Sequence, residues 1–150
     1  MNQIQQATIL VWGGAGLAAS LAGLFAVGIK KQPFKETKWL FPWGIFVWGD
    51  APIIGLFWSG AGIMSVWARS IDLFGLLFCL FWTVRSLGEM IYWLNQQFSN
   101  INRNPPEKLW GYSLFKNDSI WFVYQVFWQC SSVLFLIASL YFGHQWLSRW

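Results

Sequence analysis

Apolar residues fall into four long stretches along the chain, separated by short polar segments. The first, residues 7–29, carries no charge and, at about 1.5 Å per residue, can cross the roughly 30 Å hydrocarbon core of a bilayer. Residues 71–98 and 119–143 also have the length of membrane spans. The pattern predicts an all-α integral membrane protein: a four-transmembrane-helix bundle with residues 1–150 forming a single membrane domain.

The remaining stretch, residues 39–68, would be about 45 Å long as one helix, too long for a single unbroken span. Prolines and glycines interrupt its first half. We expect Asp50 to cap a second membrane helix, about residues 50–68, and residues 39–49 to form an interfacial or partly inserted segment. A single kinked helix with Asp50 inside the membrane is the alternative.

The first stretch could also be read as a cleaved signal peptide. Such a peptide has a basic start and an apolar core of about 7–15 residues. No Lys or Arg precedes residue 30, and the apolar stretch is longer than that. We therefore expect a retained first helix.

Small residues recur at every fourth position of this first helix. One row contains Ala15, Ala19 and Gly23, and a second contains Ala18, Ala22 and Ala26. Rows of this kind let helices approach closely in lipid, where no hydrophobic force drives them together. We expect the face to pack against another helix of the same chain. A dimerisation face is the alternative.

Arg85 and Glu89 interrupt the apolar stretch 71–98, four residues apart. A charged side chain at the centre of a membrane helix costs about 2.5–3.5 kcal/mol on the insertion scale. The apolar residues of the stretch offset most of this cost, so the free energy of inserting this helix alone is close to zero. The two groups can pair along the helix, but pairing seldom offsets the desolvation of a buried pair. They form either a binding or translocation site or a structural clamp.

Lys and Arg in the loops predict the orientation. The segments 30–38 and 99–119 together contain seven, against two in the 69–72 turn and the C-terminal tail. Cytoplasmic loops carry the excess of Lys and Arg, so we expect both termini on the non-cytoplasmic side.

With this topology, polar side chains from three helices reach the same inner half of the membrane. The predicted ligand-binding or structural cluster contains Asp50, Arg85, Glu89, Tyr92, Gln125 and Gln129. Five of these, all but Asp50, lie three or four positions from another member of the set, on one face of their helix. We expect a polar pocket that opens toward the cytoplasm.

Composition supports a membrane protein and narrows its chemistry. The chain is 56% hydrophobic and 11% charged, with 13 tryptophans and a net charge of +4. Tryptophans at the ends of the stretches fit an interfacial belt: Trp39, Trp43, Trp67, Trp110, Trp146 and Trp150. Without a basic helix, the charge does not indicate nucleic-acid binding.

No metal site or cofactor is expected. The single histidine, His144, and the separated Cys79 and Cys130 supply too few ligands for a metal. The chain contains no P-loop and no dinucleotide-binding motif. No residue type and spacing identifies a catalytic group.

Two classes of function fit these observations. The first is a transporter-type or channel-type protein, or an accessory subunit, that forms a homo-oligomer or joins a larger membrane complex. The second is an integral membrane enzyme that acts on a lipid or amphipathic substrate, with Arg85 holding an anionic headgroup and Glu89 or Tyr92 as the acid or base.

Overall fold

The computed structural model describes residues 1–99 and 103–149 and is 77% helical. Trp150 of the predicted tryptophan belt and residues 100–102 of the predicted 99–119 loop lie outside the described residues. The helices are α1 (Gln3–Gly28), α2 (Ala51–Trp67), α3 (Ile71–Phe98), α4 (Tyr112–Phe115) and α5 (Ser119–Leu147), with 3₁₀ turns at Lys38–Trp43 and Pro106–Lys108. The described part contains no strand, and the all-helical prediction is confirmed there.

Three helices of the described chain, α1, α3 and α5, are long and apolar enough to cross a membrane. Helix α2 is also apolar but has 17 residues, about 26 Å, which is shorter than the roughly 30 Å hydrocarbon core. The structure therefore supports an integral membrane protein with at least three candidate spans.

Helices α1 and α5 extend beyond their apolar stretches. Helix α1 starts at Gln3 because Asn2 forms a capping box: its side-chain oxygen accepts from the Gln5 N–H at 2.8 Å, and the Gln5 side chain accepts from the Asn2 N–H at 3.0 Å. Helix α5 continues through Gly143 to Leu147. Polar residues that apolar periodicity ignores thus set the start of α1.

The chain divides into two compact units. Unit one consists of Met1–Leu77 and the C-terminal segment from Phe142, and unit two consists of Phe78–Tyr141.

In unit one, α1 and α2 pack through a small-residue seam. Its buried positions are Gly13, Gly16, Ser20 and Gly23 on α1, and Ala51, Gly55, Trp58, Gly62 and Ser65 on α2. The spacing alternates between three and four residues on both helices, which is the repeat of helices that pack side by side over a long distance. This repeat keeps one face of each helix against the other along the seam.

The helices approach most closely at Gly55. A Cβ added there would lie 2.3 Å from the backbone oxygen of Gly16 and 2.8 Å from the Cβ of Ser20, so only glycine fits. The Ser20 hydroxyl donates to the Pro52 carbonyl at 2.9 Å. The Ser59 hydroxyl donates to the Gly13 carbonyl at 3.1 Å. Close packing and these hydrogen bonds hold helices together where lipid supplies no hydrophobic drive.

The predicted packing residues lie differently with respect to this seam. Gly23 contacts Ala51, and a Cβ at Gly23 would meet the Ala51 side chain at 2.6 Å. Ala19 is buried with Leu40 and Ala51 in one cluster, whereas Ala15 is half-buried. Intramolecular packing thus occupies part of the predicted row.

Between α1 and α2 the chain folds back on itself as a hairpin of residues 33–49. The Thr37 N–H donates to the Phe46 carbonyl at 2.8 Å, and the Gly49 N–H donates to the Pro33 carbonyl at 2.8 Å. The tip turns through the 3₁₀ segment and Gly44, whose φ of 71° lies in the left-handed region. Residues 39–68 therefore do not form one kinked helix.

The hairpin tip contacts α1 well away from the helix ends. The Trp43 indole stacks on Trp12 with ring centroids 4.5 Å apart and donates to the Trp12 carbonyl at 3.2 Å. The Trp58 indole donates to the Trp43 carbonyl at 2.8 Å. Trp12 lies about 24 Å along the axis from the Gly28 end of α1. The predicted interfacial segment thus packs against the middle of the first helix.

In unit two, α3 and α5 contact each other through aromatic rings. Trp82 stacks on Phe135 with centroids 5.7 Å apart, and Trp93 contacts Tyr124 at 4.7 Å. The connection between the helices is tied to α5, because the Trp121 indole donates to the Asn104 carbonyl at 3.0 Å. These contacts fix which faces of α3 and α5 meet.

Candidate functional site

Arg85 and Glu89 form the ion pair that their spacing predicts. The Arg85 Nη2 lies 3.4 Å from the Glu89 Oε1, and the two side chains are 23% and 18% exposed. Helix α3 is about 42 Å long, and Arg85 lies about 21 Å from its start. The pair therefore lies near the middle of a candidate membrane-spanning helix, the position at which a charge in a membrane helix is most costly.

The surface beside the pair is apolar. Val84 is 69% exposed and Leu87 is 41% exposed. Gly88 is exposed as well, and a Cβ added there would meet nothing within 4 Å among the described atoms. A flat apolar strip thus runs along the face of α3 next to two partly exposed charges.

Tyr92 lies one turn beyond Glu89 and is half-buried. Its hydroxyl accepts a hydrogen bond from the Asn104 side-chain amide. Tyr92 also lines a polar cavity of about 260 Å³, together with Asn95, Gln96, Ser99 and Arg103. Gln96 is 3% exposed. This end of α3 therefore offers amides, hydroxyls and one guanidinium to a polar group.

The two glutamines predicted on helix α5 lie in different surroundings. The Gln125 side-chain oxygen accepts a hydrogen bond from the Gln97 amide at 2.8 Å, and Gln97 also donates to the Trp93 carbonyl at 3.1 Å. Gln129 is exposed. The i and i+4 spacing placed both on one face but did not give the rotation of α5 against α3.

Asp50 belongs to unit one, whereas the other five predicted residues belong to unit two. It occupies the N-cap position of α2, but its side chain does not cap the helix. Its carboxylate instead accepts from the Phe46 N–H at 3.2 Å and so closes the base of the hairpin. The structure thus gives Asp50 a local role in unit one.

Sequence reasoning missed three polar residues that the structure places near the predicted ones. They are Gln97, the partner of Gln125; Asn104, the partner of Tyr92; and Ser86. Ser86 is fully buried next to Arg85, and its hydroxyl has no hydrogen-bond partner among the described residues. Ser86 follows Trp82 by four residues and precedes Trp93 by seven, a spacing that marks the buried face of α3.

Within the described ranges, no group of three or more His, Cys, Asp or Glu residues could hold a metal ion. Cys79 is buried, Cys130 is exposed, and both are free thiols.

The fold supports a helical integral membrane protein, and the charged pair lies in the middle of one of its candidate membrane-spanning helices. Comparison of the chain with known protein families, with curated proteins and with solved structures found no match. Function must therefore be argued from the site itself.

Proposed function

We propose that the chain is a non-enzymatic subunit of a membrane assembly, of the transporter or channel type or its accessory subunit, that associates through the face of α3 carrying Arg85 and Glu89. The observation that carries the proposal is the partial exposure of both charges at mid-helix. Charged groups at this depth face a protein interior or a water-filled cavity. A neighbouring subunit, or water held between subunits, would cover them.

The neighbouring apolar strip supports the same proposal. Val84 and Gly88 leave a shallow surface beside the charges, and small residues let a second helix approach closely. The first partner we expect is a second copy of this chain. Two copies meeting here would place their ion pairs close together in a low-dielectric environment.

The proposal includes four spans. Helix α2 is shorter than the hydrocarbon core of a bilayer. The hairpin of residues 33–49 packs against α1 and α2 and would span the part of the core that α2 does not cross. Non-helical backbone at membrane depth is tolerated where protein covers it, and Leu40 and Ile45 are buried. The Lys-rich segment 30–38 would be cytoplasmic and both termini external.

Cysteine cross-linking in native membranes tests the association. Val84→Cys in a background lacking Cys79 and Cys130 should give a product of twice the chain mass of 17.4 kDa. Trp110→Cys is the control, because Trp110 is also highly exposed, at 88% against 69% for Val84, and lies outside α3. A product of another mass would identify a different partner, and no product above the control would contradict the proposal.

A membrane enzyme remains the alternative function. The polar cavity beside Tyr92 favours it, because Arg103 and the amides there could hold a lipid headgroup. An enzyme requires Glu89 or Tyr92 for turnover, so conversion of membrane lipids by the wild type, lost in Tyr92→Phe, would replace the proposal. Unchanged lipid composition in cells that produce either form supports the subunit function.

The topology has a separate test. An impermeant maleimide should label Lys35→Cys only after the cells are opened, and a cysteine placed after residue 150 in intact cells. Labelling of both positions under the same condition would contradict the four-span arrangement.

A further inference from the structure

A groove lined by residues of unit one contains neither member of the charged pair and takes no part in the proposed function. It has a volume of about 460 Å³ and lies where α2 ends and α3 begins. Its walls are mostly apolar and include Met64, Trp67 and Leu73. Arg69 and Trp146 supply its polar groups.

Arg69 is an exposed cation held by an unusual backbone conformation. Its φ of 50° lies in the left-handed region, which residues with a side chain seldom adopt. The nearest acidic residue along the chain, Asp72, pairs with Arg149 at 2.5 Å. Arg69 itself has no ion-pair partner within the described part of the chain. Its guanidinium is therefore available to an anion.

Trp146 adds an unsatisfied donor. Its indole N–H is enclosed, and no described residue accepts a hydrogen bond from it. An enclosed donor without an acceptor destabilises a fold, and such a group in a native structure calls for an explanation. A rotation of the Trp146 ring that uncovers the N–H would let an oxygen-bearing ligand in the groove supply the acceptor.

The exposed apolar surface around the groove is large. Trp67 is 87% exposed and Met64 is 55% exposed. Arg69 lies two residues before the candidate span α3 begins, and the end of a membrane segment is where it meets the headgroup region. The groove thus combines one cation, one N–H donor and apolar walls at the level of lipid headgroups.

We propose that this groove binds a glycerophospholipid. The phosphate oxygens accept from the Arg69 guanidinium and the Trp146 indole N–H, and the acyl chains lie along Met64, Trp67 and Leu73. Charge complementarity selects this occupant, because an arginine fork matches a phosphate and the apolar walls match acyl chains. The proposal does not depend on the proposed function.

Native mass spectrometry of the detergent-purified full chain tests the proposal. The probes are phosphatidylglycerol, diacylglycerol with the same acyl chains, and inorganic phosphate. We expect one phosphatidylglycerol per chain, bound at least about tenfold more tightly than diacylglycerol, the difference expected for charge-assisted hydrogen bonds. Equal affinity for diacylglycerol would show that the phosphate does not contribute to binding, and this would overturn the proposal. Inorganic phosphate that binds as tightly as the lipid would overturn the lipid as the source.

Two variants locate the binding. Arg69→Asn removes the charge and suits the left-handed backbone, and we expect binding about tenfold weaker. Lys116→Asn is the matched control, since Lys116 is also an exposed cation with a φ of 56°. Arg69→Gly, which fits the same backbone region, replaces Arg69→Asn if that variant folds poorly. Unchanged affinity in a folded Arg69 variant would overturn the proposal.

Trp146→Phe keeps the ring and removes the donor. Without lipid, we expect its melting temperature to equal or exceed that of the wild type, because an enclosed unsatisfied donor is gone. With phosphatidylglycerol, its melting temperature should rise less than that of the wild type, whereas Trp110→Phe should respond as the wild type does. An equal rise in Trp146→Phe would show that the indole N–H does not meet the lipid, which overturns the proposed contact.

Discussion

Replacing Gly55 with alanine tests the small-residue seam between α1 and α2. The added Cβ would lie 2.3 Å from the Gly16 carbonyl oxygen and 2.8 Å from the backbone nitrogen of Ser20. Both are backbone atoms, so no side-chain rotation relieves the clash and the helices must separate. Overpacking of this kind costs about 1–3 kcal/mol.

Separation also weakens the two hydrogen bonds across the seam, Ser20 to Pro52 and Ser59 to Gly13. Hydrogen bonds between membrane helices average about 0.6 kcal/mol each, so the pair adds roughly 1 kcal/mol. Alanine returns up to about 1 kcal/mol through its higher helix propensity. The expected net loss is therefore about 1–3 kcal/mol.

The matched control is Gly60→Ala on the same helix, where a Cβ would meet nothing within 4 Å among the described atoms. This variant should be neutral or up to about 1 kcal/mol more stable. Reversible unfolding in mixed detergent micelles measures both free energies. Gly55→Ala as stable as Gly60→Ala would refute the close approach of α1 and α2.

Three further outcomes follow from the contacts. Glu89→Leu alone removes the carboxylate paired with Arg85 and should cost about 3–5 kcal/mol in micelles, whereas the double variant Arg85→Leu/Glu89→Leu should match or exceed the wild type; a double variant less stable than Glu89→Leu would contradict this. Trp58→Phe removes the hydrogen bond to the Trp43 carbonyl, so we expect a loss of about 1 kcal/mol and faster protease cleavage in the hairpin; cleavage at the wild-type rate would contradict the contact. Asn2→Ala removes the capping box of α1 and should cost about 0.5–2 kcal/mol, with fraying visible as faster amide exchange of the first turn; exchange at the wild-type rate would refute the cap.

The lengths of the apolar stretches predicted the positions of the three long helices. Burying many apolar residues in lipid outweighs local details, so α1, α3 and α5 lie where the hydrophobic runs predict them. The end at Gln3 could also have been anticipated, because Asn2 and Gln5 have the spacing of a capping box.

The hairpin of residues 33–49 was harder to predict. Pro42 and Gly44 predicted a break, but the contact of Trp43 with Trp12 depends on where the chain returns in three dimensions. Periodicity within one segment contains no information on that return. The belt rule considers sequence position alone, so it gives no information on the contact of Trp43 with Trp12.

In the candidate site, too, contacts within one helix could be predicted from the sequence, and contacts between helices could not. The Arg85–Glu89 pair is local to one helix, so its spacing was sufficient. The pairing of Gln125 with Gln97 requires the rotation of one helix against another, which no single helix encodes. The buried residues of the seam on α1 alternate between spacings of three and four. A row of small residues at every fourth position contains only some of them.

Counting chains per particle in liposomes tests the central claim most directly. Singly labelled protein, reconstituted at high dilution, should show two or more photobleaching steps per particle for the wild type. The Arg85→Leu/Glu89→Leu variant, with comparable folded yield, should shift to one step. Its α3 carries no charged pair that a neighbouring subunit has to shield from lipid. Wild-type particles with single steps, or a double variant with unchanged stoichiometry, would contradict association through this face of α3.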